Sequence, residues 1–413
     1  MKTMNTPTLR FKEFSGAWEI KTVNDLTVRI IDGDRGVNYP NGDDFSDDGY
    51  CLFLNAKNVT KSGFAFDELS FISKEKDEQL RKGKLIKNDL IITTRGTVGN
   101  IAYFDNNVKY ENIRINSGMV IVRNESNDIS SNYLYQYFYS PNIKKTIDEV
   151  SFGSAQPQLT VGVINKIKIG IPTLPEQNKI ANFLTAIDEK IAQLSQTAQL
   201  LTDYKKGVMQ QIFSQQLRFK DDDGREFAEW ERITFSDFVT ERSEISNDDS
   251  LPTYSLTIEK GVTPKTERYE REHLVGDTDN AYKLVKQHDF AYNPMNLRFG
   301  AIAKYTGEGS VKVSKYYNIF YVKNTADATF FEAFIKSPDM LKFYDKMSTG
   351  SLIEKKRVHF TDFLKFKFNL PSLPEQTKIA NFLTAIDDKI NHNQTQLDAM
   401  KQYKSGLLQQ MFV

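Results

Sequence analysis

The chain is short of the residues that most often carry covalent or metal chemistry: among its 413 residues there are 1 Cys and 4 His. A lone cysteine, Cys51, excludes an internal disulfide and a cysteine-based zinc site. It lies in the apolar stretch YCLFL and reads as a small core residue. His273, His288, His359 and His392 are scattered without the spacing of a metal site, so no metal is expected in this chain. There is no run of about 18 apolar residues and no basic leader followed by a short apolar segment. The expectation is a cytoplasmic protein with no membrane contact. Charge of either sign is also lacking in excess, with Lys+Arg 54 against Asp+Glu 54. A balanced chain gives no support to nucleic-acid binding by bulk electrostatics, but leaves room for a local basic surface or for work inside a larger basic complex.

What the sequence does have is a duplicated stretch. Residues 171–213 (IPTLPEQNKIANFLTAIDEKI…DYKKGVMQQIF) match residues 370–412 (LPSLPEQTKIANFLTAIDDKI…QYKSGLLQQMF) without a gap and at more than half of their positions. Each copy opens with Thr173 or Ser372 followed three residues later by Glu176 or Glu375, the spacing of a capping box, with Pro175 or Pro374 in the first turn. Apolar residues then alternate at spacings of four and three: Ile180, Leu184, Ile187, Ile191, Leu194, Ala198, Leu201, Val208 and Ile212. The second copy repeats them as Ile379, Leu383, Ile386, Ile390, Leu397, Met400, Leu407 and Met411. A heptad seam sustained this long predicts two long helices, most simply packed on each other as a coiled coil. Lys205, Lys404 and Asn393 interrupt the seam with polar groups. Such groups lower stability but can fix register, and Asn393 is expected to help enforce a single antiparallel one.

The repeat reaches beyond the helices, because LRFK occurs at 9–12 and 217–220, followed by GAWE and FAEWE. The chain therefore divides into a first variable domain (1–170), a central helix (171–216), a second variable domain (217–369, with 217–231 as connector) and a C-terminal helix (370–413). Since each half begins and ends alike, the chain is pseudo-cyclic and its termini are expected to lie close together. NDLIITTRGTVGNIAYF in the first domain and HDFAYNPMNLRFGAIAKY in the second each read as two strands around a glycine turn, Gly300 answering Gly99. The fold class expected is α+β: two similar domains, a pseudo-twofold internal repeat, and two long helices between them.

Catalytic signatures are missing as well: no GxxxxGK[ST], GxSxG or HExxH is present. NPMN at 293–296 is a weak match to the NPP(Y/F) box of amino-methyltransferases, with Met295 in place of the second proline and no glycine-rich S-adenosylmethionine loop upstream. The chain is expected to be non-catalytic. What remains are donors beside turns: Arg95, Thr97 and Asn100 in the first domain, Asn293, Asn296 and Arg298 in the second, and the basic run Lys355, Lys356 and Arg357. Arg and Asn can pair bidentately with base edges in the major groove, whereas a Lys-rich run suits phosphates. The plain alternative for each is a solvated surface residue.

The LPEQxKIAxFLxxID box opening a long helix, present twice and alternating with dissimilar domains, closely resembles the specificity subunit of type I restriction-modification systems, over nearly the whole chain. The resemblance implies two target recognition domains, each reading one half of a bipartite, asymmetric sequence in double-stranded DNA. It implies an antiparallel coiled coil that sets the spacer between the half-sites and docks two modification (methyltransferase) subunits. Restriction subunits with a motor and nuclease would join these, and S-adenosylmethionine, ATP and Mg would be cofactors of the partners, with none in this chain. By that resemblance Ile180, Leu184, Ile187, Ile191, Leu194, Leu201 and Val208, with Ile379, Leu383, Ile386, Ile390, Asn393, Leu397 and Leu407, serve the coiled coil and subunit docking. About 38 helical residues at about 1.5 Å each make a rod of roughly 57 Å, the physical basis for a ruler. TAQL at 197–200 resembles a tetrapeptide that some members repeat to lengthen it. The competing classes are a coiled-coil scaffold that never touches DNA and a stand-alone DNA methyltransferase.

Overall fold

A computed structural model describes residues 6–151, 158–246, 248–265, 282–350 and 356–413. The chain folds into two compact units, Met1–Gln196 with Gln394–Val413, and Thr197–Asn393. The duplicated stretches form two long helices, Leu174–Phe213 and Leu373–Met411, of 40 and 39 residues. Each unit takes in one half of each helix. The helices are therefore not separate bodies, because each half completes the core of the α+β domain beside it.

Both units are built on the same four-stranded antiparallel sheet. In the first the order is Val28–Asp32, Met119–Asn124, Leu90–Thr93, Ile101–Tyr103; in the second it is Val239–Glu241, Asn318–Val322, Phe290–Tyr292, Ile302–Lys304. A second ladder joins the strand leading into each long helix to the start of its domain, Lys168–Ile171 to Glu19–Thr22 and Lys367–Leu370 to Glu231–Thr234. The central strands bury both faces, which is why LIIT and MVIV read as unbroken apolar runs. Leu90, Ile92, Val120 and Val122 face the helix side, while Ile91, Ile121 and Met119 face a smaller cluster with Leu52, Leu54, Ile113 and Ile115. The second unit repeats the division with Phe290, Tyr292 and Phe320 on one face and Ala291 and Ile319 on the other.

The strand–turn–strand segments match in detail. Asn88 and His288, the residues before the buried Asp89 and Asp289, both adopt positive φ (73° and 69°). Their amides donate to Phe104 and Tyr305 at 2.8 Å in each case. Asp89 takes Arg123 at 2.7 Å and Asp289 takes Arg242 at 2.6 Å. Gly99 and Gly300 both have left-handed φ (83° and 93°), a conformation that strains residues with a Cβ. The correspondence expected between these segments holds although few residues are shared.

Within each unit the two half-helices run antiparallel along the expected seam. Ile180, Leu184 and Ile187 bury with Leu407, Leu408 and Met411 in one, and Val208 and Ile212 with Ile379, Leu383 and Ile386 in the other. Leu194 and Leu397 are buried and Ile191, Ile390, Leu201 and Met400 half-buried. Full burial of a Leu or Ile side chain contributes about 1.5–3 kcal/mol, and Ile180, Leu184, Ile212, Ile379 and Leu383 are buried to that degree. The expected closeness of the two ends holds for the described residues: the Leu9 amide donates to the Gln410 carbonyl at 3.0 Å, and the Tyr137 hydroxyl to the Val413 carbonyl at 2.6 Å.

Candidate nucleic-acid interface

The box that opens each long helix fastens domain to helix. Glu176 and Glu375 are each 1 % exposed. Arg10 of the first LRFK donates to both Glu176 oxygens, Nε at 2.7 Å and NH2 at 2.8 Å, and Arg218 of the second LRFK reaches Glu375 at 3.3 and 3.0 Å. The glutamate at the capping-box position thus holds the arginine of the preceding repeat. A charge-assisted bidentate pair of this kind fixes geometry as well as adding energy. The neighbouring Gln177 accepts from the Ser130 amide at 2.8 Å, and Gln376 from the Asp327 amide at 2.9 Å, anchoring the start of each domain's own helix. The seam lysines are held likewise. Lys404 bonds Asp188 at 2.5 Å, with its ammonium 4.4 Å from the Tyr139 ring centroid, while Lys205 bonds Asp387 at 2.5 Å. Burial pushes the Lys404 pKa down, and Asp188 opposes that shift without cancelling it. Asn393 is buried.

In the first unit Arg95 and Thr97 are exposed on the turn between Leu90–Thr93 and Ile101–Tyr103. Asn100 is half-buried and donates Nδ2 to the Val59 carbonyl at 2.9 Å, which ties the turn to the domain. Thr93 braces the turn from inside, accepting the Asn100 amide at 2.9 Å. Arg95 does not stand alone. Its amide donates to the Gly118 carbonyl at 3.3 Å, and Arg35 donates to the Ser117 carbonyl at 3.3 Å, so both arginines flank the turn at 116–118. Arg81 and Lys82 join them, since their amides donate to Asp34 at 2.7 and 3.3 Å, beside Arg35. Arg35, Arg81 and Lys82 were not picked out in the sequence; the only signal was the Gly/Asn/Pro-rich run GDRGVNYPNG, a loop signature.

In the second unit Asn293 folds the NPMN segment into an Asx turn, its Oδ1 accepting from the Met295 amide at 3.1 Å. Asn296 is exposed, and Arg298 is half-buried with its guanidinium 4.4 Å over the Phe299 ring and 3.3 Å from Asp345. The structure brings the basic run to this turn, because the Val358 amide donates to the Pro294 carbonyl at 3.1 Å and the Tyr292 hydroxyl donates to the Val358 carbonyl. The same contact exists in the first unit, from the Leu159 amide to the Thr94 carbonyl at 3.1 Å. Lys356 is half-buried and Arg357 exposed, while Lys355 lies outside the described residues. Met295 (47 %), Phe299 (52 %) and Ile258 (51 %) add exposed apolar surface to the same unit. The interface candidates of the two units thus share a backbone frame and differ in chemistry, donors alone in one and donors (Asn296, Arg298, Arg357) mixed with exposed apolar Met295 and Phe299 in the other.

Among the described residues no group of three or more His, Cys, Asp or Glu could hold a metal ion. Cys51 is buried, and burial foremost, with Asp77 beside it, pushes its thiol up to about 12, which suits a core residue. No helix among the described residues is long and apolar enough to cross a membrane.

Two domains of one topology, each presenting a braced and chemically individual turn and each latched to a duplicated helix, define a two-headed recognition protein. The chain belongs to the family of type I restriction modification DNA specificity domains, whose model matches residues 16–202 and 296–402. It is a DNA sequence-recognition subunit of that system. It is similar to the type I restriction enzyme MjaX specificity subunit of Methanocaldococcus jannaschii, at 23 % identity over 418 residues, covering 95 % of this chain and 92 % of the relative. The MjaVIII specificity subunit of the same organism is 23 % identical over 319 residues, 71 % of this chain and 72 % of the relative. The fold is that of the S subunit from M. genitalium, with TM-score 0.59 and 14 % identity over 99 % of both chains. A chain from a structural study of type I R-M complex assembly and conformational transition matches at TM-score 0.52 and 12 % identity, over 95 % of this chain and 96 % of that one.

Proposed function

We propose that each unit reads one half of a bipartite DNA target and that the paired helices set the spacer and dock two modification subunits, with restriction subunits joining the full complex. The methyl donor, ATP and Mg would then belong to those partners and the chain itself would be non-catalytic. The observation that carries this reading is the contrast between what the two copies keep and what they change. The turns that could meet DNA share a frame but not residues. On the helices, identical residues recur at exposed positions where core packing makes no demand: Asn182 and Asn381, Ala186 and Ala385, Lys190 and Lys389, Tyr204 and Tyr403. Two surfaces that stay alike while remaining exposed suit two copies of one partner, and tyrosine is a side chain enriched at interface hot spots. A scaffold that never touches DNA would leave the individual turns without a role.

The test is to produce the chain together with its modification subunit and map methylated adenines across a genome. The expected outcome is one asymmetric, two-part target with a fixed gap. Methylation without sequence preference, or at one short uninterrupted site, would overturn the reading.

A further inference from the structure

Resting on the reading of the first unit as a DNA-recognition domain, we propose that the turn at 36–39 is a base-reading element in which Val37 seats against a thymine methyl group. The turn is closed by the Tyr39 amide donating to the Gly36 carbonyl at 3.0 Å, with Val37 and Asn38 at its centre. Central turn positions favour Gly, Pro, Asn, Asp and Ser, each for a stated conformational or hydrogen-bonding reason, and valine offers none of these. Val37 is nevertheless there, and its side chain is fully exposed (101 %).

The turn is held rigidly from both sides. Asp34, 7 % exposed, accepts the Gly36 amide at 2.8 Å through one oxygen, and the Arg81 and Lys82 amides at 2.7 and 3.3 Å through the other. Tyr39 packs edge-on against Phe53, ring centroids 5.8 Å apart, and its hydroxyl accepts the Ser117 amide at 3.4 Å. Underneath, backbone lies directly on backbone: a Cβ on Gly33 would come within 2.1 Å of the Asn116 carbonyl oxygen, and one on Gly83 within 3.2 Å of the Gly33 Cα. So much bracing beneath an exposed valine breaks the local turn rule without any packing return, and such breaks concentrate at functional sites.

The surroundings select the occupant. Arg35 and Arg81 flank the tip, Arg81 reaching over Gly36, while Lys82 and Arg95 lie on the adjoining segments; the acidic neighbours are Asp32, 3.8 Å from Arg35, and Asp34, whose carboxylate is taken up by the Gly36, Arg81 and Lys82 amides. A protruding apolar group with one guanidinium group over the residue before it and further cationic residues on the flanking segments matches duplex DNA, in which the thymine methyl is the apolar feature of the major groove and phosphates line both sides.

The experiment uses the chain assembled with its modification subunits and a duplex bearing its mapped target. Each thymine in turn is replaced by deoxyuridine, which removes the methyl group alone. For the wild type, one replacement is expected to weaken binding about four-fold, the contribution of one buried carbon. Val37→Ala is expected to bind the thymine and deoxyuridine duplexes equally at that position while the other half-site is read as before, an internal control for folding. A Val37→Ala complex that keeps the wild-type ratio at every thymine, or a wild type indifferent to every replacement, overturns the proposal. A complex that selects no sequence at all would instead overturn the DNA-recognition reading beneath it.

Discussion

At the scale of single residues, the seam lysines show how a break in a heptad becomes a specific contact. Lys404 is 6 % exposed, and Asp188 both pairs with it and accepts from Gln136 at 3.0 Å. Removing Asp188 would leave an ammonium buried without a counter-charge, so Asp188→Ala is expected to cost about 3 kcal/mol. Lys404→Met keeps the length of the side chain and removes the charge, and is expected to melt at or slightly above the wild-type temperature. The pH dependence separates the two causes. Lys404's folded pKa lies below its usual 10.5, so between those values the unfolded chain binds more protons than the folded one. Stability from this group therefore rises with pH through that window and is lowest below it. Thermal melts between neutral pH and about 10.5 should show this rise in the wild type and lack it in Lys404→Met. A Lys404→Met protein that melts several degrees lower would show the charge to be stabilising instead.

At the scale of elements, the exposed tyrosines distinguish docking from seam formation. Tyr204 (53 % exposed) and Tyr403 (52 %) each precede a seam lysine. Truncating either is expected to leave the melting temperature within about 0.5 kcal/mol equivalents of wild type, yet to weaken capture of one modification subunit by tenfold or more. Tyr204→Ala and Tyr403→Ala together should abolish the complex with two such subunits, as read by native mass spectrometry. An unchanged two-subunit complex in the double variant would place docking elsewhere. The helices themselves were legible in the sequence, because seam and box repeat and a heptad needs only local spacing. The strands of the two hairpins were legible too, since LIIT and IAY, like FAY and IAK, flank a glycine turn, whereas the edge strands Val28–Asp32 and Val239–Glu241 were not picked out. Contacts that join distant segments were not legible. The Arg10–Glu176 latch, the Lys404–Asp188 pair and the gathering of Arg35, Arg81 and Arg95 around one turn depend on pairing between stretches tens to hundreds of residues apart. Asn100, picked out as a donor, binds the Val59 carbonyl, a use that spacing cannot reveal.

At the scale of the whole molecule, the internal repeat is closed by contacts between its first and last described segments. In the second unit the chain runs on from the first long helix, and the Leu217 amide donates to the Gln211 carbonyl at 3.0 Å. In the first unit the matching residues are Leu9 and Gln410, joined by the same bond at 3.0 Å although they lie near opposite ends of the chain. Arg10 and Arg218 then make the same latch to Glu176 and Glu375. Where the first unit links Gln410 to Leu9 through this bond, the other half has a continuous chain that runs on through residues 221–226, whose turn is exposed apart from Asp221. Chain ends placed in such a turn disturb few buried contacts. A permuted chain, opened at Gly224 and joined from Val413 to Thr6 through a short flexible linker, is expected to keep its fold and, with modification subunits, the same two-part target and gap. The wild-type methylation pattern, mapped beside that of the permuted chain, is the check. A permuted protein that folds, as judged by an unchanged melting transition, but methylates with an altered gap would mean that the order of the halves along the chain, and not only their closed repeat, determines what is read.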